Sequence, residues 1–189
     1  MIQLECGLHF DFAMQWLRKQ SNEEHQVIVN GTDLYINISL LSIVGHGGMG
    51  KTTPWQHVYK DEIIEIFDLK MWVCISINFD AKKRSLQICW NLLKKKEKPN
   101  PDSHDALQRK FKEEVMSKRF LLVLDDIWSE EEEQHNNKWE NVLAPPSCGS
   151  LGSKILVTTR MDTVALIFAK VIKKEEIVKL AGLEEDECL

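Results

Sequence analysis

Residues 40–60 read LLSIVGHGGMGKTTPWQHVYK, an apolar run that enters a glycine-rich turn and leaves it as a helix. Within it, Gly45-His46-Gly47-Gly48-Met49-Gly50-Lys51-Thr52 matches G-x-x-x-x-G-K-[ST] at every fixed position. Glycines let the backbone wrap closely with its N–H groups turned inward, and the helix that follows adds the unpaired donors of its first turn. Such a concave nest suits a di- or triphosphate. Lys51 then reaches the outer phosphates as a flexible point charge, and the Thr52 hydroxyl takes one coordination position on Mg²⁺. The bland alternative is a glycine-rich strand-to-helix turn that binds nothing, and the strand-turn-helix setting speaks against it.

The chain as a whole narrows the classes open to it. Its 189 residues suffice for one α/β domain with a full core, or for one and a part. A formal charge of −5 argues against nucleic acid as the main partner. No apolar run approaches the ~20 residues of a membrane span, and Met1 is not followed by the basic stretch and apolar core of a signal peptide. Cys6, Cys74, Cys89, Cys148 and Cys188 are scattered without a C-x-x-C pair, so the expectation is reduced thiols in a cytoplasmic protein, with no zinc site.

Upstream of the loop, Phe12, Trp16 and Leu17 recur at helical spacing and predict a short helix over 10–19. The β-prone runs 26–29 and 34–38 flank Asn30-Gly31 as a hairpin or as an approach to the first core strand. Residues 1–39 are therefore set apart as an N-terminal segment, and 40–189 as the nucleotide-binding unit. After the loop a helix is expected to run to about Ile66, with Pro54 in its first turn or at the boundary with the second. Thr53, preceding proline, is pushed away from helical geometry. Residues 70–76, KMWVCIS, read as a strand buried on both faces, 81–98 as a helix ending in Lys94-Lys95-Lys96, and 103–118 as a second helix with Leu107, Phe111 and Val115 on its apolar stripe.

The second constellation is RFLLVLDDIW, residues 119–128. Phe120 to Leu124 make a central strand, with Asp125 and Asp126 at its carboxyl end, the edge where α/β sheets bind ligands. Asp125 is in position to bind the metal, directly or through water, and Asp126 to orient or deprotonate an attacking water. Alternatively the pair is simply an acidic turn. Glu130 to Glu133 reads as a solvated loop, and residues 139–143 as a short helix. Residues 154–158 form a fourth strand that ends at Arg160, which either reads the outermost phosphate or makes a surface ion pair. A helix over 162–169, a fifth strand over 177–180 and a further helix from Gly182 follow. Strands and helices alternate, which predicts an α/β fold with a five-stranded parallel sheet covered on both faces.

GHGGMGKTT, FDLKMWVCIS from Phe67, KRFLLVLDDIW from Lys118 and GSKILVTTR from Gly152 occur in an order and spacing that resembles the NB-ARC domain of plant nucleotide-binding leucine-rich-repeat disease-resistance proteins. Trp128 resembles the coiled-coil class of these receptors. The resemblance covers 40–189 and implies a P-loop NTPase fold working as an ADP/ATP-dependent immune switch, with ADP marking the resting state. Hydrolysis is expected to be slow because Asp126 offers a short reach toward an attacking water. It implies that Gly45, Gly47, Gly48, Gly50, Lys51, Thr52 and Thr53 line the phosphates, that Asp125 and Asp126 serve Mg²⁺ and hydrolysis, and that Arg160 senses the terminal phosphate. It also implies that the 154–158 strand lies between the phosphate-loop strand and the aspartate strand. Pro54 and Trp55 depart from the small apolar pair usual in the family, and His46 stands where an apolar residue is common. The family's later G-L-P-L and M-H-D motifs are not in this sequence, which implies a piece of a longer receptor whose other domains would be its partners. A free-standing P-loop ATPase or kinase, and a degenerate interaction fragment that no longer binds nucleotide, are the competing readings.

Overall fold

Each apolar run bounded by turn residues in this sequence has one face to bury toward each side, and a parallel sheet between two helical layers does so. The computed structural model describes residues 2–18, 37–74, 104–127, 148–172 and 175–180. In chain order they form α1 (Ile2–Arg18), β1 (Ile38–Val44), α2 (Thr52–Val58), a 3-10 turn (Glu62–Ile66), β2 (Leu69–Cys74), α3 (His104–Val115), β3 (Phe120–Ile127), β4 (Ser153–Thr159), α4 (Asp162–Val171) and β5 (Glu175–Lys179). The five strands are all parallel, in the order β2-β3-β4-β1-β5. β4 therefore does lie between the phosphate-loop strand and the aspartate strand.

Alternation along the strands divides the core into two layers. Leu41, Ile43, Leu121, Val123 and Leu156 face Trp16 and Leu17 of α1 and Trp55 and Val58 of α2. Leu40, Leu122, Leu124, Ile155 and Val157 face Phe111 and Val115 of α3 and Val164 and Phe168 of α4. β1 and β4 are buried at every position, as expected where helices cover both faces. Trp16 and Trp55 meet edge to face at 6.1 Å, a favoured aromatic geometry that ties α1 to α2. Lys154, fully buried in β4, reaches the end of α1: its Nζ donates to the carbonyls of Trp16 and Leu17 and lies 4.3 Å from the centre of the Trp16 ring. A buried ammonium is tolerated because helix-terminal carbonyls and an aromatic face replace its water.

Several boundaries differ from expectation. α1 begins at Ile2, eight residues before the expected start at Phe10, because Gly7 weakens a helix by only ~1 kcal/mol and does not end it. The helix after the phosphate loop stops at Val58, not Ile66. Asp61 accepts a hydrogen bond from the Ile63 N–H at 2.9 Å and starts the separate 3-10 turn, a capping role hidden inside an apparently helical run. β2 is not buried on both faces: it ends the sheet order among the described strands, with Met71 and Val73 buried, Trp72 half-buried against Tyr59 and Cys74 exposed. β3 continues through both aspartates to Ile127 instead of ending at Leu124. α4 runs two residues further than expected, and β5 begins two earlier. The expected hairpin around Asn30-Gly31, the helices at 81–98, 139–143 and 182–189, the acidic loop 130–133 and Trp128 lie outside the described residues. Among the described residues no helix is long and apolar enough to cross a membrane.

Candidate functional site

The site is built at the carboxyl edge of β1, β4 and β3, where the chain leaves three neighbouring strands at one level. Val44 pairs with Thr159, Thr159 with Ile127, and one strand further out Cys74 pairs with Asp125. The Gly45 N–H extends the ladder by one bond to the Thr159 carbonyl, 3.1 Å, before the loop turns away. Gly48 and Gly50 take φ of 82° and 73°, the left-handed region that a side chain would oppose, and the loop's tight curvature depends on them. α2 starts directly after Lys51, with no side chain capping its N-terminus. Pro54 is its third residue and is buried. That position is in the first turn, where a backbone N–H has no intrahelical acceptor, so no helix bond is forfeited. Thr53 stays helical despite preceding proline, with its side chain exposed.

Lys51 is buried and folded back across the loop, its Nζ donating to the carbonyls of Gly45 and His46, each at 2.6 Å. Burial is the main cause that pushes its pKa below 10.5, opposed by Asp126, reinforced by Arg160, and opposed again by Asp125. A buried ammonium whose hydrogen bonds go to neutral carbonyls gains from an anionic group in the loop.

Asp125, buried at the end of β3, is the centre of a hydroxyl cluster. Its Oδ1 accepts from Thr52 at 2.8 Å and from Thr158 at 2.6 Å, and its Oδ2 accepts from the Cys74 thiol at 3.6 Å. Although Cys74 is exposed as a residue, partial desolvation of its thiol, followed by the negative charge of Asp125, raises its pKa, so the sulfur remains a thiol donor. The hydroxyl of Thr52 and the carboxylate of Asp125, two hard oxygens already within hydrogen-bond distance, are the donor types Mg²⁺ selects. Asp126 is turned the other way by a bulge. From Leu124 to Ile127 β3 advances three residues while β4 advances two, Val157 to Thr159, and the extra residue puts Asp126 at φ 53°. Its carboxylate takes two hydrogen bonds from Arg160, Nε to Oδ1 at 3.1 Å and Nη2 to Oδ2 at 3.0 Å. A Cβ on Gly47 would stand 3.5 Å from the same guanidinium, so Arg160 also borders the phosphate loop.

The fold thus brings Gly45, Gly47, Gly48, Gly50, Lys51, Thr52, Asp125, Asp126 and Arg160 to one edge, with Thr53 following on the outer side of α2. Sequence reasoning passed over Thr158 and Cys74. Thr158 was read as the last residue of a buried strand and Cys74 as an interior residue of another, and only the register shows that both lie beside Asp125.

A glycine-rich loop between a buried strand and a helix, a lysine folded into it, and an aspartate two strands away define a P-loop α/β domain. The NB-ARC domain model matches residues 20–189, and the chain belongs to that family. It is 34% identical over 173 residues to the disease resistance protein RGA2 of Solanum bulbocastanum, covering 90% of this chain and 17% of that protein. It is 33% identical over 127 residues to disease resistance RPP13-like protein 4 of Arabidopsis thaliana, covering 67% of this chain and 14% of that protein. The chain thus spans about a sixth of the length of the relatives it matches.

Proposed function

We propose that this chain is the ADP/ATP-binding switch module of a plant disease-resistance receptor acting in the cytoplasm, with other domains of that receptor as its partners. The loop backbone and Lys51 hold the phosphates, Thr52 and Asp125 hold Mg²⁺, Asp126 orients water, and Arg160 meets the terminal phosphate. Mg²⁺ would supply charge neutralisation and orientation of the outer phosphates. The observation that carries the reading is Lys51 itself, a buried cation whose Nζ is held only 2.6 Å from two loop carbonyls and which therefore stands over the floor of the nest. Neutral carbonyls are weak partners for an ammonium, and a phosphate oxygen entering the loop is a charge-assisted one. The Thr52–Asp125 hydrogen bond beside it supports a metal position next to those phosphates.

Calorimetric titration of ADP tests this. Lys51→Ala is expected to weaken binding at least about tenfold, or ~1.4 kcal/mol. A folded Lys51→Ala protein with the wild-type affinity would overturn the assignment.

A further inference from the structure

Thr158 touches both aspartates of β3 at once. It is 1% exposed, its Oγ1 donates to Asp125 Oδ1 at 2.6 Å, and the same oxygen accepts from the Asp126 N–H at 2.8 Å. A hydroxyl has one proton and two lone pairs, so these two bonds are compatible and together commit its direction. Each answers a need that the bulge creates. Asp125 brings a carboxylate into the core, where an unpaired charge is costly. Asp126, at φ 53°, is a non-glycine residue in the left-handed region, and the Thr158 oxygen supplies an acceptor for its N–H where the register slips.

From this geometry we infer that Thr158 is a positioning residue for the metal and terminal-phosphate end of the site. The inference rests on the nucleotide-binding reading proposed above. Thr52 and Thr158 share Asp125 Oδ1, but they stand on different supports: Thr52 is on α2 directly after the phosphate loop, and Thr158 lies within β4 between the two functional strands. When the Thr52 hydroxyl turns toward a cation, Thr158 still fixes the carboxylate. Through the Asp126 N–H the same hydroxyl maintains the turn that presents the Asp126 carboxylate to Arg160. Two residues further along the chain, Arg160 leaves the same strand, so one rigid element carries the support for Asp125, the support for Asp126 and the partner of Asp126.

The test is titration of a fluorescent, non-hydrolysable ATP analogue into the chain in Mg²⁺ and in EDTA. Wild type is expected to bind more tightly with Mg²⁺. Thr158→Val keeps the shape and removes both hydrogen bonds. It should lose about tenfold of that Mg²⁺ enhancement, the order expected when the outer partner of a metal ligand is removed, while its affinity in EDTA stays within about twofold. Thr158→Ser, which restores the hydroxyl, should retain the enhancement. If Thr158→Val does not fold, Thr158→Ala is set against Thr158→Ser in the same assay. An unchanged enhancement in Thr158→Val overturns the assignment alone, and so does an equal loss in Thr158→Ser, which would mean that the methyl packing matters rather than the hydroxyl. Wild type that binds without any Mg²⁺ enhancement overturns the assignment and leaves nucleotide binding standing. Wild type that binds in neither buffer overturns both.

Discussion

Arg160 closes on Asp126 through two hydrogen bonds of 3.1 and 3.0 Å, one to each carboxylate oxygen, beside Gly47 of the phosphate loop. The side chains are 52% and 39% exposed, so solvent screens the pair and its removal should cost less than ~1 kcal/mol of stability. Its larger consequence is for ligands. An arginine whose fork is taken up by a half-exposed carboxylate can exchange that partner for a phosphate oxygen at little net cost. Arg160→Ala is therefore expected to melt close to wild type and to lose more affinity for an ATP analogue than for ADP. An equal loss for both nucleotides would remove Arg160 from the terminal phosphate.

Lys51 predicts an alkaline signature. Its folded pKa lies below 10.5, the unfolded value, so between the two the unfolded chain holds a proton that the folded chain has shed. Stability then rises with pH through that window, and the penalty of burying the charged lysine is felt in full below it. Tyr59 works against this trend, since burial raises its pKa above 10.0 and its share of stability falls as pH rises past that value. The Lys51 contribution is isolated by comparison with Lys51→Met, which should show a shallower rise in denaturation midpoint on the way to pH 10.5. Bound ADP should shrink the difference, because phosphate favours the ammonium. Matching profiles for the two proteins would show that Lys51 is not desolvated in the free chain.

Much of this arrangement was legible because the relevant signals are local. A strand, its glycine turn and its helix follow one another in sequence, and the burial of β1 and β4 on both faces follows from their unbroken apolar runs. What escaped depends on register between distant segments. Thr158 and Asp125 are separated by 33 residues and Cys74 and Asp125 by 51, and nothing in either strand alone announces the contact. The bulge at Asp126 is of the same kind, since an inserted residue exists only relative to the partner strand. The break after Val58 has a different cause: Asp61 is tolerated inside a helix but favours caps, and the hydrogen bond its carboxylate accepts from the Ile63 N–H decides for the cap.

Pro54 offers a clean comparison between strain and harmless placement. Were it straining α2, Pro54→Leu would raise stability and tighten nucleotide binding together. As the third residue of the helix it gives up no intrahelical bond, and its ring is buried next to Trp55, which packs on Trp16. The expected outcome is a melting temperature no higher than wild type and an ADP affinity within about twofold. A joint rise in both would show that the proline strains the phosphate loop and would support a module losing its nucleotide site.

The geometry of Asp126 bears most directly on turnover. Transfer of a terminal phosphoryl group needs metal, an oriented water and charge stabilisation held together away from solvent, and a well-placed arginine can supply a factor of about 10³ or more. Here the carboxylate that would orient water is gripped by Arg160, and it is presented by a left-handed residue whose backbone N–H is tied to Thr158. Leaving Arg160 costs that carboxylate little, but an aspartate side chain has little reach toward a water and its backbone is held in place by the Thr158 hydroxyl. A chain built this way should bind ATP and hold it, with hydrolysis serving as a slow timer. Single-turnover measurements with excess protein and Mg²⁺ are expected to give a rate far below the ~10 s⁻¹ typical of metabolic enzymes, and Arg160→Ala should not bring it to that level, because freeing the carboxylate also removes the cation that stabilises the transferring group. Turnover near ~10 s⁻¹ that Asp126→Asn abolishes would sink the switch reading and favour a free-standing ATPase.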